Sequence, residues 1–230
     1  MLPSLAIRRS IFSPTLRRSL ATASRTPLSS DAYTKPVNPN EPAISSTPQD
    51  VTPEQREALE AALRIDQAGE VAANYIYMGQ MAILSRDRKT KELLQEMKDQ
   101  EQKHLDVMNK LQAQHDVRPT VLWEVAKVAG FGLGAVTALM GREAAMACTE
   151  AVETVIGEHY DDQLKEMDQF STSHPSIPLL KEVIKEFRDD ELEHLDTAVQ
   201  NYSQRAPAHA LLSTVIGGGC KIAIELCRRF

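Results

Sequence analysis

Two short stretches decide the fold: Glu101-Gln102-Lys103-His104-Leu105-Asp106 and Glu191-Leu192-Glu193-His194-Leu195-Asp196. Each sets a carboxylate and an imidazole three residues apart. On a helix that spacing puts Glu101 and His104, and likewise Glu191 and His194, on one face a turn apart. Apolar residues continue the same faces at helical spacing. Leu94, Met97, Met108 and Leu111 flank the first pair, and Leu180, Ile184, Phe187 and Ala198 flank the second. Each stripe turned toward a core therefore carries ionisable groups in its middle. Buried carboxylates are costly unless they are paired or bound to metal, and this is the anomaly the fold must explain.

Working outward, each stretch is preceded by an apolar helix pattern with one inward glutamate. Glu70 stands before Glu101, and Glu153 stands before Glu191. Each of these glutamates has a tyrosine seven residues on, Tyr77 and Tyr160. The chain thus holds a diverged repeat of a Glu…Glu-x-x-His helix hairpin. Two Glu helices and two Glu-x-x-His helices form the ligand pattern of ferritin-like di-iron bundles, so the match is to an established arrangement. It predicts Glu70, Glu101, His104, Glu153, Glu191 and His194 as metal ligands. Four carboxylates offset the charge of two Fe(II) ions, and without metal they would raise one another's pKa. Imidazole plus carboxylate suits iron or manganese, and no thiolate set suggests structural zinc.

One such pair alone would read as a solvated ion-pair helix; the full set on apolar stripes does not. Glu150, a turn before Glu153, is a competing ligand that fits the repeat less well. Asp106 and Asp196 fall about 200° round their helices from the histidines and read as solvated. Tyr160 reads either as core or as a hydrogen-bonding or redox group beside the metal. His115, His159, His174 and His209 lack a partner pattern.

Thr52-Pro53-Glu54-Gln55 is a helix start, with a capping threonine, proline at the first position and glutamine at the third. Helices are predicted over about 53–86, 90–115, 120–139, 141–170, 177–202 and 207–229, with no period-2 alternation to suggest a sheet. The expected fold is all-α: a ferritin-like four-helix di-iron bundle with two additional apolar helices. Those two contain uncharged runs, Val128–Gly141 with Gly130, Gly132 and Gly134 inside it, and Ala206–Cys220 with Gly217, Gly218 and Gly219. Neither run reaches the ~20 residues that cross a bilayer. They read as core helices, or as membrane-interface helices with cationic flanks at Lys127, Arg142 and Lys221. The second reading is preferred, because a four-helix core needs no further apolar helices and small residues let a lipid tail approach the backbone.

The chain's 230 residues suit one main domain. Residues 1–30 hold five arginines and no acid, the composition of a mitochondrial transit peptide. Residues 31–51, rich in Pro, Ser, Thr and Asn, read as a flexible linker, leaving 52–230 as the folded domain. The net charge of -6 argues against nucleic-acid binding through a general basic field. Cys148, Cys220 and Cys227 form no CxxC, which fits a reduced compartment.

The sequence resembles the mitochondrial demethoxyubiquinone hydroxylase family, the di-iron monooxygenases of ubiquinone biosynthesis. The resemblance rests on Ile65–Glu70, Asp99–His104, Arg118-Pro119-Thr120, Gly141–Thr149, Ala151-Val152-Glu153 and Phe187–His194. It implies insertion of an oxygen atom from O2 into the quinone ring of a polyprenylated demethoxy precursor. Glu70, Glu101 and His104 would hold one iron and Glu153, Glu191 and His194 the other, with bridging carboxylates shared. His159 and Tyr160 resemble a His-Tyr pair tied to electron delivery. The resemblance also implies NADH or a reductase as electron source. It implies a polyprenyl quinone lipid substrate, and an accessory lipid-binding protein among other ubiquinone-biosynthesis proteins. It implies peripheral attachment to the mitochondrial inner membrane on the matrix side. No GxGxxG fingerprint is present, so any NADH contact would not be Rossmann-like. A rubrerythrin-type peroxidase would need CxxC pairs, and an iron-storage cage would have little use for apolar runs.

Overall fold

The computed structural model describes residues 29–230, so the transit peptide expected over 1–30 lies almost wholly outside the described residues. Among the described residues there are eight α-helices and no strand: α1 Asp31–Thr34, α2 Pro42–Ser45, α3 Pro53–Leu84, α4 Arg88–His115, α5 Trp123–Leu139, α6 Arg142–Met167, α7 Ser176–Gln200 and α8 His209–Arg229. The six long helices begin and end within about three residues of the predicted positions.

Local chemistry sets these boundaries. At α3 the Thr52 hydroxyl accepts from the Gln55 N–H while the Gln55 side chain accepts from the Thr52 N–H, closing a capping box around Pro53. Asp87 caps α4 by accepting from the Lys89 N–H. That helix ends at Asp116, which takes a left-handed conformation at φ 55° just ahead of Pro119. Gly141 separates α5 from α6 at φ 120°, a backbone angle that side-chain-bearing residues rarely adopt.

α3 packs along α4, and α6 packs along α7, as two hairpins. Their facing sides bury Leu63, Leu94, Met108, Leu111, Leu180 and Phe187 completely. α5 lies along α3 and also touches α6, whereas α8 lies along α6 and also touches α3. Both apolar helices therefore cover the same side of the molecule. Their outer faces remain exposed, with Val125, Val128 and Leu139 on α5 and Leu211, Val215 and Ile222 on α8.

Two expectations need correction. Counting only uncharged residues understated α8, whose 21 residues are long and apolar enough, by length and composition, to cross a membrane. Yet it lies against α6 and α3, and it carries Lys221, Glu225, Arg228 and Arg229. The glycines of α5 also do not all face outward. A Cβ on Gly134 would run into the Ile76 carbonyl, and one on Gly130 would sit 2.6 Å from the Ala72 carbonyl oxygen. These two glycines let α5 approach the α3 backbone, while Gly132 faces open space.

Residues 31–51, expected to be a flexible linker, are instead laid against the hairpins. Ser29 Oγ, Ser30 N and Ser30 Oγ all donate to the Glu186 carboxylate on α7, at 3.0, 2.9 and 2.6 Å. Tyr33 is buried, and its hydroxyl donates to Gln114 Oε1 at 2.8 Å. Gln114 in turn donates to the carbonyls of Ala43 and Ser46. Proline and serine content reports backbone preference, but it carries no information about acceptors waiting on distant helices.

Candidate metal centre

The hairpins bring all six predicted ligands together, every one of them 0–3% exposed. Their ligand atoms form two groups within 4.8 Å: Glu70, Glu101, His104 and Glu191 in one, and Glu101, Glu153, Glu191 and His194 in the other. Glu101 and Glu191 belong to both. His104 Nδ1 lies 3.2 Å from Glu191 Oε1 and 3.7 Å from Glu70 Oε2, and His194 Nδ1 lies 3.1 Å from both Glu101 Oε1 and Glu191 Oε2.

Several of these contacts have ion-pair distance without hydrogen-bond alignment. Glu70 Oε2, Glu101 Oε1 and His104 Nδ1 are buried with no hydrogen-bond partner. Buried polar atoms are rarely left so, and converging carboxylate oxygens with bare imidazole nitrogens are the donor set of a divalent transition metal. The residues present therefore fit such an ion.

The electrostatics agree. Burial pushes the Glu70 and Glu153 carboxyls well above the usual range, and neighbouring carboxylates push the same way. Burial pulls His104 down, but its hydrogen bond to Asp190 and the close carboxylates of Glu191 and Glu70 outweigh it and lift the imidazole well above its usual value. His194 is likewise lifted to about 11 by Glu101 and Glu191 against the effect of burial. Glu191 would be raised by burial, but the two histidines beside it bring it down to about 2. A concentrated negative charge thus draws in cations, whether protons or a metal.

The partners of these residues cross between the hairpins. The Tyr77 hydroxyl donates to Glu153 Oε1 at 3.1 Å, and the Tyr160 hydroxyl donates to Glu70 Oε1 at 2.7 Å. Burial and nearby carboxylates hold both phenols well above their usual pKa, so they stay protonated donors. Gln80 donates to Thr149 Oγ1 at 3.4 Å, and Gln163 donates to Asp66 Oδ2 at 2.9 Å. His104 Nε2 lies 3.1 Å from Asp190 Oδ2, and His194 Nε2 lies 3.1 Å from Gln100 Oε1. With Nε2–H donating outward, Nδ1 of each ring is the nitrogen left facing the carboxylates. The Phe187 ring stacks on His104 at 3.9 Å.

Tyr160 is therefore tied directly to a candidate ligand, whereas His159 stands further out, its Nε2 3.1 Å from Asp66 Oδ1. Glu150 turns away to His209 Nε2 at 3.0 Å, and Asp106 and Asp196 are exposed, as expected. Asp66, Gln100, Asp190, Gln80 and Gln163 were not anticipated as partners. Extending the repeat points to four of them: the spacing from Glu70 to Glu153 also relates Gln80 to Gln163, and that from Glu101 to Glu191 relates Gln100 to Asp190.

A cavity of about 390 Å³ adjoins the cluster. Glu70, Glu101, Glu153 and Glu191 form one wall with Tyr160, and apolar residues such as Ala126, Leu133, Ile216 and Ala223 of α5 and α8 form the other. Neither His104 nor His194 lines it.

The comparisons with known proteins bear on the same region. The family model "Ubiquinone biosynthesis protein COQ7" matches residues 57–227. The chain is 47% identical over 175 residues to the mouse "NADPH-dependent 3-demethoxyubiquinone 3-hydroxylase, mitochondrial", covering 76% of this chain and 79% of the mouse protein. It is 40% identical over 232 residues to the "5-demethoxyubiquinone hydroxylase, mitochondrial" of Saccharomyces cerevisiae, covering 96% and 98%. It is 45% identical over 167 residues to the "3-demethoxyubiquinol 3-hydroxylase" of Rhodospirillum rubrum, covering 73% and 76%. The matched residues span α3 to α8 and hold every member of the buried Glu/His cluster, and by that match the chain belongs to the COQ7 family of ubiquinone biosynthesis proteins.

Proposed function

We propose that Glu70, Glu101, His104, Glu153, Glu191 and His194 hold two iron ions in a ferritin-like bundle of α3, α4, α6 and α7, with α5 and α8 as its additional apolar helices. The protein uses this centre and O2 to hydroxylate the ring of a polyprenylated demethoxyubiquinone, a step of ubiquinone biosynthesis, as the names of its relatives indicate. The observation that carries this reading is the pair of buried ligand groups, sharing Glu101 and Glu191, on the wall of an apolar cavity. When bound, iron supplies the redox chemistry that O2 activation requires.

The chain's own residues do the rest. Glu101 and Glu191, which belong to both ligand groups, would help hold both ions, while Glu70 and Glu153 would each help hold one. Tyr160 and Tyr77 fix the orientation of those two terminal carboxylates. The apolar wall of α5 and α8 accepts the ring and the start of the tail and keeps water from it. His159, held by Asp66, borders the cavity beside Tyr160 and is the polar group best placed to meet the quinone edge or pass a charge inward. The electrons come from a reduced nicotinamide or a reductase; the mouse relative's name specifies NADPH.

The exposed apolar faces of α5 and α8 support peripheral attachment to the inner mitochondrial membrane on the matrix side. Trp123 and Lys127, whose ammonium lies 3.4 Å from the indole centre, suit the headgroup level at the start of α5. The same surface offers an accessory lipid-binding protein a place to deliver substrate. In this reading the mitochondrial transit peptide lies within residues 1–30 and ends before Ser29 and Ser30, which are bonded to Glu186, and 52–230 is the hydroxylase domain.

The test is reconstitution with Fe(II) under anaerobic conditions, addition of a demethoxyquinone and O2, and mass analysis of the product. The expected result is a product heavier by one oxygen and about two irons per chain. Glu153→Ala or His194→Ala should lose metal and product together. Full metal content and full turnover in either variant would sink the ligand assignment.

A further inference from the structure

The two halves of the centre match in their ligands but not in what stands behind the histidines. His104 Nε2–H donates to a carboxylate, Asp190, which is 7% exposed. His194 Nε2–H donates to a carboxamide oxygen, that of the half-buried Gln100. Both bonds measure 3.1 Å, so they fix ring orientation and tautomer equally. They differ in charge. A carboxylate acceptor draws the Nε2 proton toward itself and makes Nδ1 a stronger donor to a metal; an amide does so far less. The formal negative charge also lies close to one ion position and not the other, in a buried setting where Coulomb attraction is weakly screened.

A second break in the repeat falls on the same side. Asp66 lies one turn before Glu70, the ligand that shares a group with His104, while the matching residue before Glu153 is Thr149. Gln163 and Gln80 reach these two positions in the same way, so one half gains another carboxylate where the other has a hydroxyl.

We propose that Asp190 and Gln100 are positioning residues that make the two metal positions unequal. The position at Glu70 and His104 takes the first divalent ion and holds it about tenfold or more tightly than the position at Glu153 and His194, a step within the range of such outer contacts. This rests on the reading of the cluster as a two-metal centre, and the experiment separates the two claims.

The experiment is an anaerobic titration of the metal-free full chain with Co(II), followed by proton NMR. An imidazole N–H on a ring bound to paramagnetic Co(II) shifts far outside the protein envelope and vanishes in heavy water. The first equivalent should bring up one such signal, with an Overhauser contact to the Phe187 ring that stacks on His104. The second equivalent should bring up the other. Asp190→Asn should bring the two steps closer together, and the double exchange Asp190→Asn with Gln100→Glu should bring them closer still. Two signals that rise together in the unaltered protein, or a first signal with no contact to Phe187, would overturn the ordering while leaving the two-metal centre standing. No shifted N–H at any Co(II) concentration would overturn the centre itself and the ordering with it. The unaltered protein alone decides between these outcomes, so the test survives a variant that fails to fold.

Discussion

Tyr160 donates its hydroxyl hydrogen to Glu70 Oε1 at 2.7 Å, across 90 residues of chain and from the opposite hairpin. Tyr160→Phe removes the donor and leaves a buried carboxyl oxygen unpaired. The metal-free protein should lose about 1–3 kcal/mol of stability, read as a lower midpoint in chemical denaturation. Metal content should stay the same, because the phenol is no ligand. Tyr77→Phe, which frees Glu153 at the mirrored position, should act in the same direction. Loss of metal in either variant would show that the phenol does more than orient the carboxylate.

Metal uptake should release protons. Burial pushes Glu70 and Glu153 up, so both carboxyls hold protons at a pH where free carboxylates do not. His104 and His194 are raised as well, the latter to about 11. Metal ligands must be deprotonated, so each of these protons leaves when the ion arrives, and affinity rises with pH. Titration calorimetry in buffers of different ionisation heat should give binding heats that depend on the buffer. Heats independent of buffer would contradict the prediction.

A second pH effect lies away from the centre. His115 is completely buried, and its pKa is lowered to about 4, first by burial and then by the charges of Arg56 and His174. Thr47 Oγ1 lies 2.9 Å from its Nδ1, while Nε2 has no partner. The folded value lies below the unfolded one, near 6.5, so the unfolded chain takes up the proton first. Stability is unaffected above that pH, declines as pH falls from about 6.5 to about 4, and levels off below. A shift of this size corresponds to about 3 kcal/mol. His115→Gln should remove that decline, and the difference between the two denaturation curves across this window measures it.

The close approach of α5 to α3 gives a controlled pair of substitutions. Gly134→Ala drives a methyl group into the Ile76 carbonyl and must push the helices apart. It should cost about 1–3 kcal/mol or more and widen the cavity wall, with poorer quinone retention. Gly132→Ala, on the same helix but facing open space, should leave stability unchanged or raise it by up to about 1 kcal/mol through helix propensity. Equal effects in thermal unfolding would refute the packing argument.

The cluster of candidate ligands was legible because Glu101 with His104, and Glu191 with His194, lie within one helical turn, where sequence spacing and spatial distance coincide. The hairpin repeat then pointed to Glu70 and Glu153. The partners were not, because Asp190 meets His104 and Tyr77 meets Glu153 only once two hairpins have packed, and helix periodicity says nothing about crossing register. Residues 31–51 misled for a related reason. Their composition is that of a linker, but Tyr33 finds Gln114 81 positions away. The glycines of α5 were read as room for a lipid; Gly130 and Gly134 also make room for α3, and Gly130 lines the cavity as well.

The crossing of Tyr77 to Glu153 and Tyr160 to Glu70 has a consequence for how such a molecule can arise. Each hairpin carries the phenol that the other one needs, so a lone hairpin is incomplete. Two copies of one hairpin, related by a twofold axis, would supply each other's missing phenol and assemble all six ligands from a single short gene product. In the present chain α5 and Gly141 join the two hairpins. The substitutions that distinguish the halves, among them Asp190 opposite Gln100, are what a fused pair is free to acquire and a symmetric dimer is not.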